Sequence, residues 1–439
     1  MEVCIEKLIY GGDGLARLPA DDRGPGKAMF VPFVLAGEQV EATVKEQRPG
    51  FARAALDRVV TPSACRVEPA CPYYARCGGC HYQHTSYEHQ LDIKKAILRE
   101  TLLRTAKLEA VPEIQVHPSP PWNYRNRTRL RIDQANAGFA MGYNRFASRE
   151  ILPVESCPIS SPLINQALAA VWELGRGGRV PPAIVESEFF ANGDDTELLL
   201  ALTVPIKPPR KEIAAIAEFV SELRARMPVV IGVAVFWQRR DGTLERWDVP
   251  DELRDTFGAD HLRYATSQAF YQVSAGSFFQ TNRFLVDELV DLATGFSSGG
   301  YALDCYAGTG LFTLPLSQRY KQVAAVESAP FSVYDLKINC PSNVAVYPVT
   351  MDKFVAHLPE ESRFDALIVD PPRIGLGSKV ATALGAMRVP SVTYVSCDPS
   401  TFARDLKVLI EAGYRIDQAH LIDLFPQTFH IESVFHLVL

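Results

Sequence analysis

The chain has 439 residues, of which 47% are hydrophobic and 22% charged, and its formal net charge is −6. This length predicts two or three domains with cores of their own. The acidic balance excludes a protein that coats nucleic acid through a uniformly basic surface. No run of 18 apolar residues occurs, which excludes a membrane-spanning helix. Residues 1–7 lack the basic and apolar regions of a signal peptide, so we expect a cytoplasmic protein.

Short strands punctuated by glycine and proline dominate residues 1–60. Strand candidates are Val3–Leu8, Ala28–Pro32 and Glu38–Val44, and a glycine turn at 11–14 follows the first of them. Strands at this spacing predict a small β-barrel domain.

Residues 61–265 are expected to form a central α+β domain, with helices near 87–105, 162–174 and 210–226. Between the first two helices, a candidate strand places alternate side chains on one face. These side chains are Arg125, Arg127, Arg129 and Arg131. The window 120–150 holds six arginines against two acidic residues, a local charge of +4, with aromatic residues interleaved. Arginine binds phosphate and aromatic rings stack on unpaired bases, so this strand predicts RNA contact, with a solvated face as the alternative.

Nine cysteines in a chain too long to need disulfides point to metal binding or to chemistry. Three of them lie close together and a fourth follows far along the chain: Cys71, Cys77, Cys80 and Cys157. Three thiolates close in sequence, together with a fourth from farther along the chain, can hold a 4Fe–4S cluster, and zinc is the alternative. Five residues separate the first two cysteines, so the spacing of radical enzymes, three residues and then two, is absent.

From about residue 266 short apolar strands alternate with helical patterns, which predicts a doubly wound, Rossmann-like parallel sheet over 266–439. The strand candidates are Tyr301–Asp304, Gln322–Glu327, Val344–Tyr347, Ala366–Asp370 and Val392–Ser396, with two more near 419–424 and 433–439.

The first of these strands leads into a glycine loop at 304–310 that lets a ligand approach the backbone closely. Glu327 ends the next strand, where a carboxylate can accept both ribose hydroxyls. The full dinucleotide fingerprint is absent, which favours S-adenosylmethionine, a ribose compound without pyrophosphate; a structural turn is the alternative. Asp370 ends the fourth strand and two prolines hold it over the same cleft. Arg373 stands where related amino-methyltransferase motifs have an aromatic residue, which disfavours N-methylation.

Cys397 follows the fifth strand at the same edge, where its thiolate could attack an electrophilic carbon; a buried packing residue is the alternative. Glu432 precedes the final strand and is a candidate general base, or else a surface turn residue. Together they predict methylation of a pyrimidine at C5: the thiolate adds at C6, C5 takes the methyl group, and the base removes the C5 proton.

These motifs closely resemble, in their order, those of the RNA 5-methyluridine (uracil-C5) methyltransferases, especially the iron–sulfur branch that includes the 23S rRNA enzymes. Residues 1–60 look like the family's TRAM domain, an oligonucleotide-binding barrel. The resemblance implies catalytic roles for Cys397 and Glu432 and a 4Fe–4S cluster on the four cysteines named above. It also implies S-adenosylmethionine binding by Gln280, Tyr306, Glu327, Asp352 and Asp370.

The function implied is methyl transfer to C5 of a uridine in RNA, with 23S rRNA preferred to tRNA as the substrate. Alternatives are a tRNA enzyme of the same mechanism, a non-catalytic RNA-binding or assembly factor, and a small-molecule methyltransferase. Two residues depart from the family pattern: Ala307 replaces a cysteine, and Leu311 replaces an asparagine near the methionine moiety. No obligate protein partner is predicted.

Overall fold

The computed structural model describes residues 1–18, 26–134, 138–295, 298–359 and 362–439. Three sheets of six, seven and eight strands organise these residues, together with one two-stranded hairpin. No helix within the described ranges is long and apolar enough to cross a bilayer.

The N-terminal sheet curls into a barrel around a small apolar core. Its strands are β1 (Glu2–Cys4), β2 (Lys7–Leu8), β3 (Asp13–Arg17), β4 (Ala28–Pro32), β5 (Gln39–Gln47) and β6 (Phe51–Thr61). Their spatial order is β1-β5-β6-β4-β3-β2. Because β1 and β2 are consecutive in the chain yet lie at opposite ends of this order, the sheet must close on itself. Two strands, β3 and β6, are additional to those we predicted.

The middle of the chain forms a mostly antiparallel sheet covered by two helices. Its strands are β8 (Arg127–Asp133), β9 (Ala140–Asn144), β10 (Ile151–Pro153), β11 (Glu186–Ala191), β12 (Leu198–Val204), β13 (Val230–Gln238) and β14 (Leu244–Arg246). The helices are α2 (Pro162–Arg176) and α3 (Arg210–Arg226), both close to the predicted bounds. A 3₁₀ turn (Asp251–Leu253) and α4 (Arg254–Phe257) lead to the hairpin, β15 (His261–Ala265) and β16 (Phe270–Ser274).

The C-terminal half contains the predicted parallel sheet with helices on both faces. Its strands are β17 (Gly299–Cys305), β18 (Tyr320–Val326), β19 (Val344–Tyr347), β20 (Ala366–Val369), β21 (Ser391–Ser396), β22 (Arg415–Ile422) and β23 (Glu432–Val438). The helices are α5 (Val286–Thr294), α6 (Thr313–Arg319), α7 (Pro330–Asn339), α8 (Met351–His357), α9 (Gly377–Ala386) and α10 (Pro399–Glu411). The strand order is β19-β18-β17-β20-β21-β23-β22, and only β23 runs antiparallel to its neighbours. The order reverses at β17, and such a reversal leaves a ligand crevice at the carboxyl edge.

Two elements from the predicted central region pack against this C-terminal sheet. Strand β7 (Ile114–His117) extends it as an eighth strand beside β22, and helix α1 (Tyr87–Thr101) packs in the same core before a π-helical turn at Leu102–Ala106. The apolar residues of these elements pack in the core of a sheet whose first strand begins almost two hundred residues later. The contacts therefore do not follow the boundary we expected at residue 265.

The segment 423–431, which we call the base loop, connects β22 to β23 and is held largely from outside the sheet. Lys94 of α1 forms a fully buried ion pair with Asp423, 2.6 Å apart, and donates to the carbonyl of Phe425. Gln90, one turn earlier, exchanges two hydrogen bonds with Gln427. Residues four apart share one helix face, so a single side of α1 anchors this loop.

Candidate active site

The candidate catalytic and cofactor residues converge on the carboxyl edge of the large sheet. Tyr306, Glu327, Asp370 and Cys397 directly follow β17, β18, β20 and β21, and Asp352 stands just past β19, in the first turn of α8. Because β23 is antiparallel, its first residue, Glu432, lies at the same edge. The topology therefore brings six residues, spread over more than 120 positions, around one crevice.

Cys397 and Glu432 lie opposite each other on neighbouring strands. Ser396 of β21 pairs with Ser433 of β23, so continuing this antiparallel register by one residue aligns Cys397 with Glu432. Residues directly opposite in such a ladder have Cα atoms about 4.5–5.5 Å apart. This places a thiol and a carboxyl group where both can reach one small ring.

The electrostatics of this pair favour uncharged groups. Burial above all, helped by the carboxylates of Glu432 and Asp370, raises the pKa of Cys397 to about 12, and Arg373 opposes the shift. Burial, with the charge of Asp370, raises the pKa of Glu432 well above its usual range. Burial also raises the pKa of Asp370 to about 7. The site therefore stores protons on its acidic groups, which is common where such groups act as acid or base.

The loop that follows Asp370 is held in place by helix α10. The Thr401 hydroxyl donates to the carbonyl of Arg373 at 3.0 Å, and the Arg404 guanidinium donates to that of Ile374 at 2.8 Å. Asp405 accepts from the backbone N–H of Leu376 at 2.7 Å. This bonding explains why polar residues follow Cys397 in the sequence: they orient the Asp370 loop beside the nucleophile.

The glycine loop at 304–310 and Glu327 form a continuous polar wall. One Glu327 oxygen accepts from the backbone N–H of Gly308 at 2.9 Å, and the other accepts from Ser328 and Ala329 at the start of α7. Each carboxylate oxygen has two acceptor positions, so one position remains for a ribose hydroxyl, on the oxygen that Gly308 contacts. Tyr306 adopts a left-handed backbone conformation with φ of 63°.

The remaining two cofactor candidates, Asp352 and Gln280, lie outside the glycine loop. Asp352 lies close enough to Tyr306 for its charge to help raise the pKa of that phenol, although burial is the larger cause. Gln280 is buried in the segment after β16. Asp335 of α7 holds that segment, since its carboxylate accepts from the backbone and hydroxyl of Ser274 and from the hydroxyl of Ser277. We did not predict this role for Asp335, because only the fold brings α7 beside β16.

The four predicted ligand cysteines line one cavity of about 220 Å³. Burial is the main cause that raises the pKa values of Cys71, Cys77 and Cys80, and the neighbouring thiols add to the shift. Across the described ranges, no group of three or more His, Cys, Asp or Glu side chains is arranged to bind a single metal ion. The four thiols share a cavity, but the described residues do not support the predicted 4Fe–4S site or its zinc alternative.

The arginine strand has the predicted alternation, but its arginines are partly occupied within the protein. Arg127 is mostly buried and ion-paired with Glu188, and it also donates to the carbonyl of Ser277. Arg129 pairs with the same glutamate, 2.9 Å away. Arg131 is exposed and donates to a loop carbonyl at 2.7 Å, whereas Arg125 faces the cysteine cavity. Two of the four arginines therefore brace neighbouring strands, which the sequence periodicity alone could not distinguish from an open RNA surface.

Comparison with known proteins matches this architecture over the whole chain. Residues 252–438 match the tRNA (uracil-5-)-methyltransferase family, and residues 1–56 match the TRAM domain. A tRNA (uracil-54, C5)-methyltransferase from Pyrococcus abyssi, solved with S-adenosyl-L-homocysteine, has the same fold, with a TM-score of 0.74 at 24% identity and full coverage of both chains.

Two relatives align along almost their full lengths. An uncharacterized RNA methyltransferase of Aquifex aeolicus is 32% identical over 99% of this chain and 97% of its own. A 23S rRNA (uracil(1939)-C(5))-methyltransferase RlmD from a Shewanella species (strain MR-4) is 31% identical over 98% of this chain and 94% of its own. The chain therefore belongs to the RNA uracil-C5 methyltransferase family, with a TRAM domain at its N-terminus.

Proposed function

We propose that this protein transfers the methyl group of S-adenosylmethionine to C5 of a uridine in 23S rRNA, with Cys397 as nucleophile and Glu432 as base. The observation that supports this most strongly is the opposition of Cys397 and Glu432 across β21 and β23, at the edge that also presents the glycine loop. A thiol and a base on one face of a ring are what C5 methylation requires.

The reaction follows from these two groups. Cys397 passes its proton to solvent, the thiolate forms a bond to C6 of uracil, and the C5–C6 π electrons move to O4 as an enolate. Bound S-adenosylmethionine supplies a methyl group that C5 can take with its electron pair. Glu432 must first lose its own proton to solvent, since its pKa is raised. As a carboxylate it then removes the C5 proton, the double bond reforms, and the C6–sulfur bond breaks to release Cys397 as a thiolate.

The cofactor residues of this chain fit an adenosyl group. The Glu327 carboxylate would accept a ribose hydroxyl, and Asp352 and Asp370 would lie with Tyr306 at the same edge of the sheet. Gln280 supplies an amide from the segment that Asp335 holds. No phosphate-binding lysine or arginine belongs to this residue set, in keeping with a ligand that has no pyrophosphate.

Release of tritium from RNA containing C5-tritiated uracil tests the proposal, since only a reaction that removes the C5 proton produces it. We expect release from transcribed 23S rRNA that depends on S-adenosylmethionine, and none from Cys397→Ala. Glu432→Gln should accumulate a covalent protein–RNA adduct because methylation proceeds but the C5 proton stays. An absence of cofactor-dependent release from any rRNA or tRNA would refute the function.

The choice of 23S rRNA rests on the name of the full-length relative from Shewanella. A tRNA substrate is favoured instead by the solved Pyrococcus structure and by the name of the matched family. Tritium release from equal amounts of two RNAs distinguishes these substrates. One is a 23S rRNA fragment around the uridine named for the Shewanella relative, and the other is unmodified tRNA. We expect faster release from the rRNA fragment, and preferential release from tRNA would contradict this choice.

We also propose that the exposed part of the arginine strand binds phosphates of the RNA. Support comes from the outward position of Arg129 and Arg131 and from the net positive charge of the window around them. Arg131→Gln should weaken RNA binding and lower the slope of log affinity against log salt by about one. Arg226→Gln, whose guanidinium pairs with two glutamates, is the control and should leave the slope unchanged.

We further propose that Cys71, Cys77, Cys80 and Cys157 hold a 4Fe–4S cluster. Four thiols around one cavity of about 220 Å³ supply an all-sulfur donor set, which suits iron–sulfur binding. A zinc ion would require the thiols to converge on a single tetrahedron. Anaerobic purification followed by iron, sulfide and zinc analysis should give iron and sulfide in equal amounts, about four of each per chain; one zinc without sulfide would contradict the proposal.

A further inference from the structure

The N-terminal barrel contacts the catalytic edge of the large sheet through one tyrosine. Tyr10 follows β2, and its hydroxyl donates to the backbone carbonyl of Cys397 at 3.3 Å, across 387 positions of sequence. This phenol is also close enough to the Asp398 carboxylate to interact with it. Burial and Asp398 raise the pKa of Tyr10, so the hydroxyl keeps its proton and remains a donor.

The ring of the same tyrosine contacts the base loop. Tyr10 meets Phe429 edge to face, with ring centroids 5.6 Å apart. Phe429 lies three residues before Glu432 and is contacted on another side by His81, at 4.7 Å. Edge-to-face aromatic pairs have a preferred geometry, so this contact constrains where Phe429 sits. One side chain of the barrel therefore touches the segments on both sides of the nucleophile–base pair.

The barrel itself is firmly docked at this place. Its turn at Gly12, with φ of +93°, passes so close to His81 that a Cβ on Gly12 would lie 3.1 Å from that side chain. At a second point, a ring nitrogen of His84 lies 3.2 Å from the carbonyl of Val34, and Phe33 packs on Tyr74. Tyr10 therefore lies beside further contacts that hold the barrel in place, as positioning requires.

Building on the proposed function, we propose that Tyr10 is a positioning residue for the methyl transfer, joining the backbone of Cys397 to the loop that leads to Glu432. Its hydroxyl orients the nucleophile segment and its ring orients the base loop. The barrel thereby completes the catalytic geometry, in addition to any contact it makes with RNA. A misplacement of catalytic groups by about 1 Å can slow an enzyme by about 100-fold.

The test is single-turnover tritium release from 23S rRNA at saturating RNA and S-adenosylmethionine, with RNA affinity measured separately by filter binding. Tyr10→Ala should slow release by about 10- to 100-fold while RNA affinity stays within about threefold. Tyr10→Phe keeps the ring and should recover part of the lost rate, remaining about 3- to 10-fold slower than the wild type because the hydrogen bond is missing. Because Tyr10→Phe is the milder change, it decides the question if Tyr10→Ala does not fold.

Tyr414→Phe is the matched control, because the Tyr414 hydroxyl also donates to a backbone carbonyl, that of Val389, at 2.9 Å. These two residues lie just before the first residues of β22 and β21, at the edge of the sheet opposite Cys397. This variant should release tritium at the wild-type rate. The inference is overturned if both Tyr10 variants react at the wild-type rate, or if they lose RNA affinity but react normally at saturation. If the wild-type protein itself releases no tritium, the proposed function fails, whereas normal release by both wild type and variants refutes only the role of Tyr10.

Discussion

Cys397 is surrounded by Glu432, Asp370 and Asp398, and Arg373 is the cation that offsets them. The carboxylates favour the thiol and the guanidinium favours the thiolate that must attack uracil. In the sequence, Arg373 served only to disfavour N-methylation. In the structure, its charge also opposes the rise in the pKa of the Cys397 thiol.

Arg373→Leu should raise the pKa of the Cys397 thiol, because the substitution removes the only opposing positive charge named above. We expect alkylation of Cys397 by iodoacetamide, followed by peptide mass spectrometry at pH 7 to 10, to be slower in the variant throughout. This range lies below the pKa of the thiol, so a higher pKa leaves less reactive thiolate at each pH. Arg415→Leu, at the opposite edge of the sheet, serves as the control and should leave the profile unchanged. An unchanged profile in Arg373→Leu would show that this guanidinium does not act on the thiol.

Asp304 is a second buried acid near the cofactor loop. One of its oxygens accepts from the Thr313 hydroxyl and the other has no partner. Burial, with the charges of Asp370 and Glu327 adding to it, raises the pKa of Asp304 to about 7. Asp304 binds its proton more tightly in the folded protein than in the unfolded chain. The protonated carboxyl therefore contributes fully to stability at low pH. That contribution is lost as the pH rises through about 7.

Asp304→Asn should therefore be more stable than the wild type at pH 8, and the difference should shrink at pH 5. At about 1.4 kcal/mol per pKa unit, the gain in free energy of unfolding over the wild type should be roughly 2 kcal/mol larger at pH 8 than at pH 5. Urea unfolding at the two pH values measures it. Asp92→Asn, exposed on α1, should show no such pH dependence. Equal effects of Asp304→Asn at both pH values would contradict the raised pKa.

Much of this residue-level chemistry was accessible from sequence. Cys397, Glu327 and Asp370 could be placed because each directly follows a recognisable apolar strand of a parallel sheet. Asp335 and Tyr10 could not, because their partners lie on elements more than fifty residues away. Glu432 lies between these cases, since its position before a strand was clear but its alignment with Cys397 depends on that strand being antiparallel.

At the scale of elements, the base loop depends on helix α1 more than on the sheet it interrupts. Lys94 and Asp423 are both almost completely buried, so each neutralises a charge that would otherwise be costly. Sequence periodicity predicted α1 but assigned no role to Lys94. Only the packing shows that this lysine faces the core.

Lys94→Met should destabilise the protein by about 3–5 kcal/mol, because Asp423 is left buried without its partner. Adding Asp423→Asn should recover a substantial part of this loss, since the unpaired charge is then gone. Urea unfolding measures both, and Lys95→Met, whose lysine pairs with the exposed Glu113, should cost no more than about 1 kcal/mol. Independent, additive losses in the double variant would contradict the pairing.

At the scale of the molecule, the sequence predicted the individual sheets better than it predicted how they pack against one another. Local periodicity reports strands and helices, so the barrel and the parallel sheet could be anticipated. The docking of Tyr10 on the nucleophile segment, and of β7 on the large sheet, arises from contacts across hundreds of positions. The net charge of −6 likewise concealed a positive window of +4 on the arginine strand.

The central claim is that Cys397 bonds to uracil during methylation at C5. Incubation with S-adenosylmethionine and 23S rRNA containing 5-fluorouridine tests it directly, because fluorine at C5 cannot leave as a proton does. After nuclease and protease digestion, mass spectrometry should find a methylated fluorouridine nucleotide attached to the peptide containing Cys397, and none in Cys397→Ala. The account would be contradicted if wild-type protein formed no adduct with any RNA, or if the adduct lay on another cysteine.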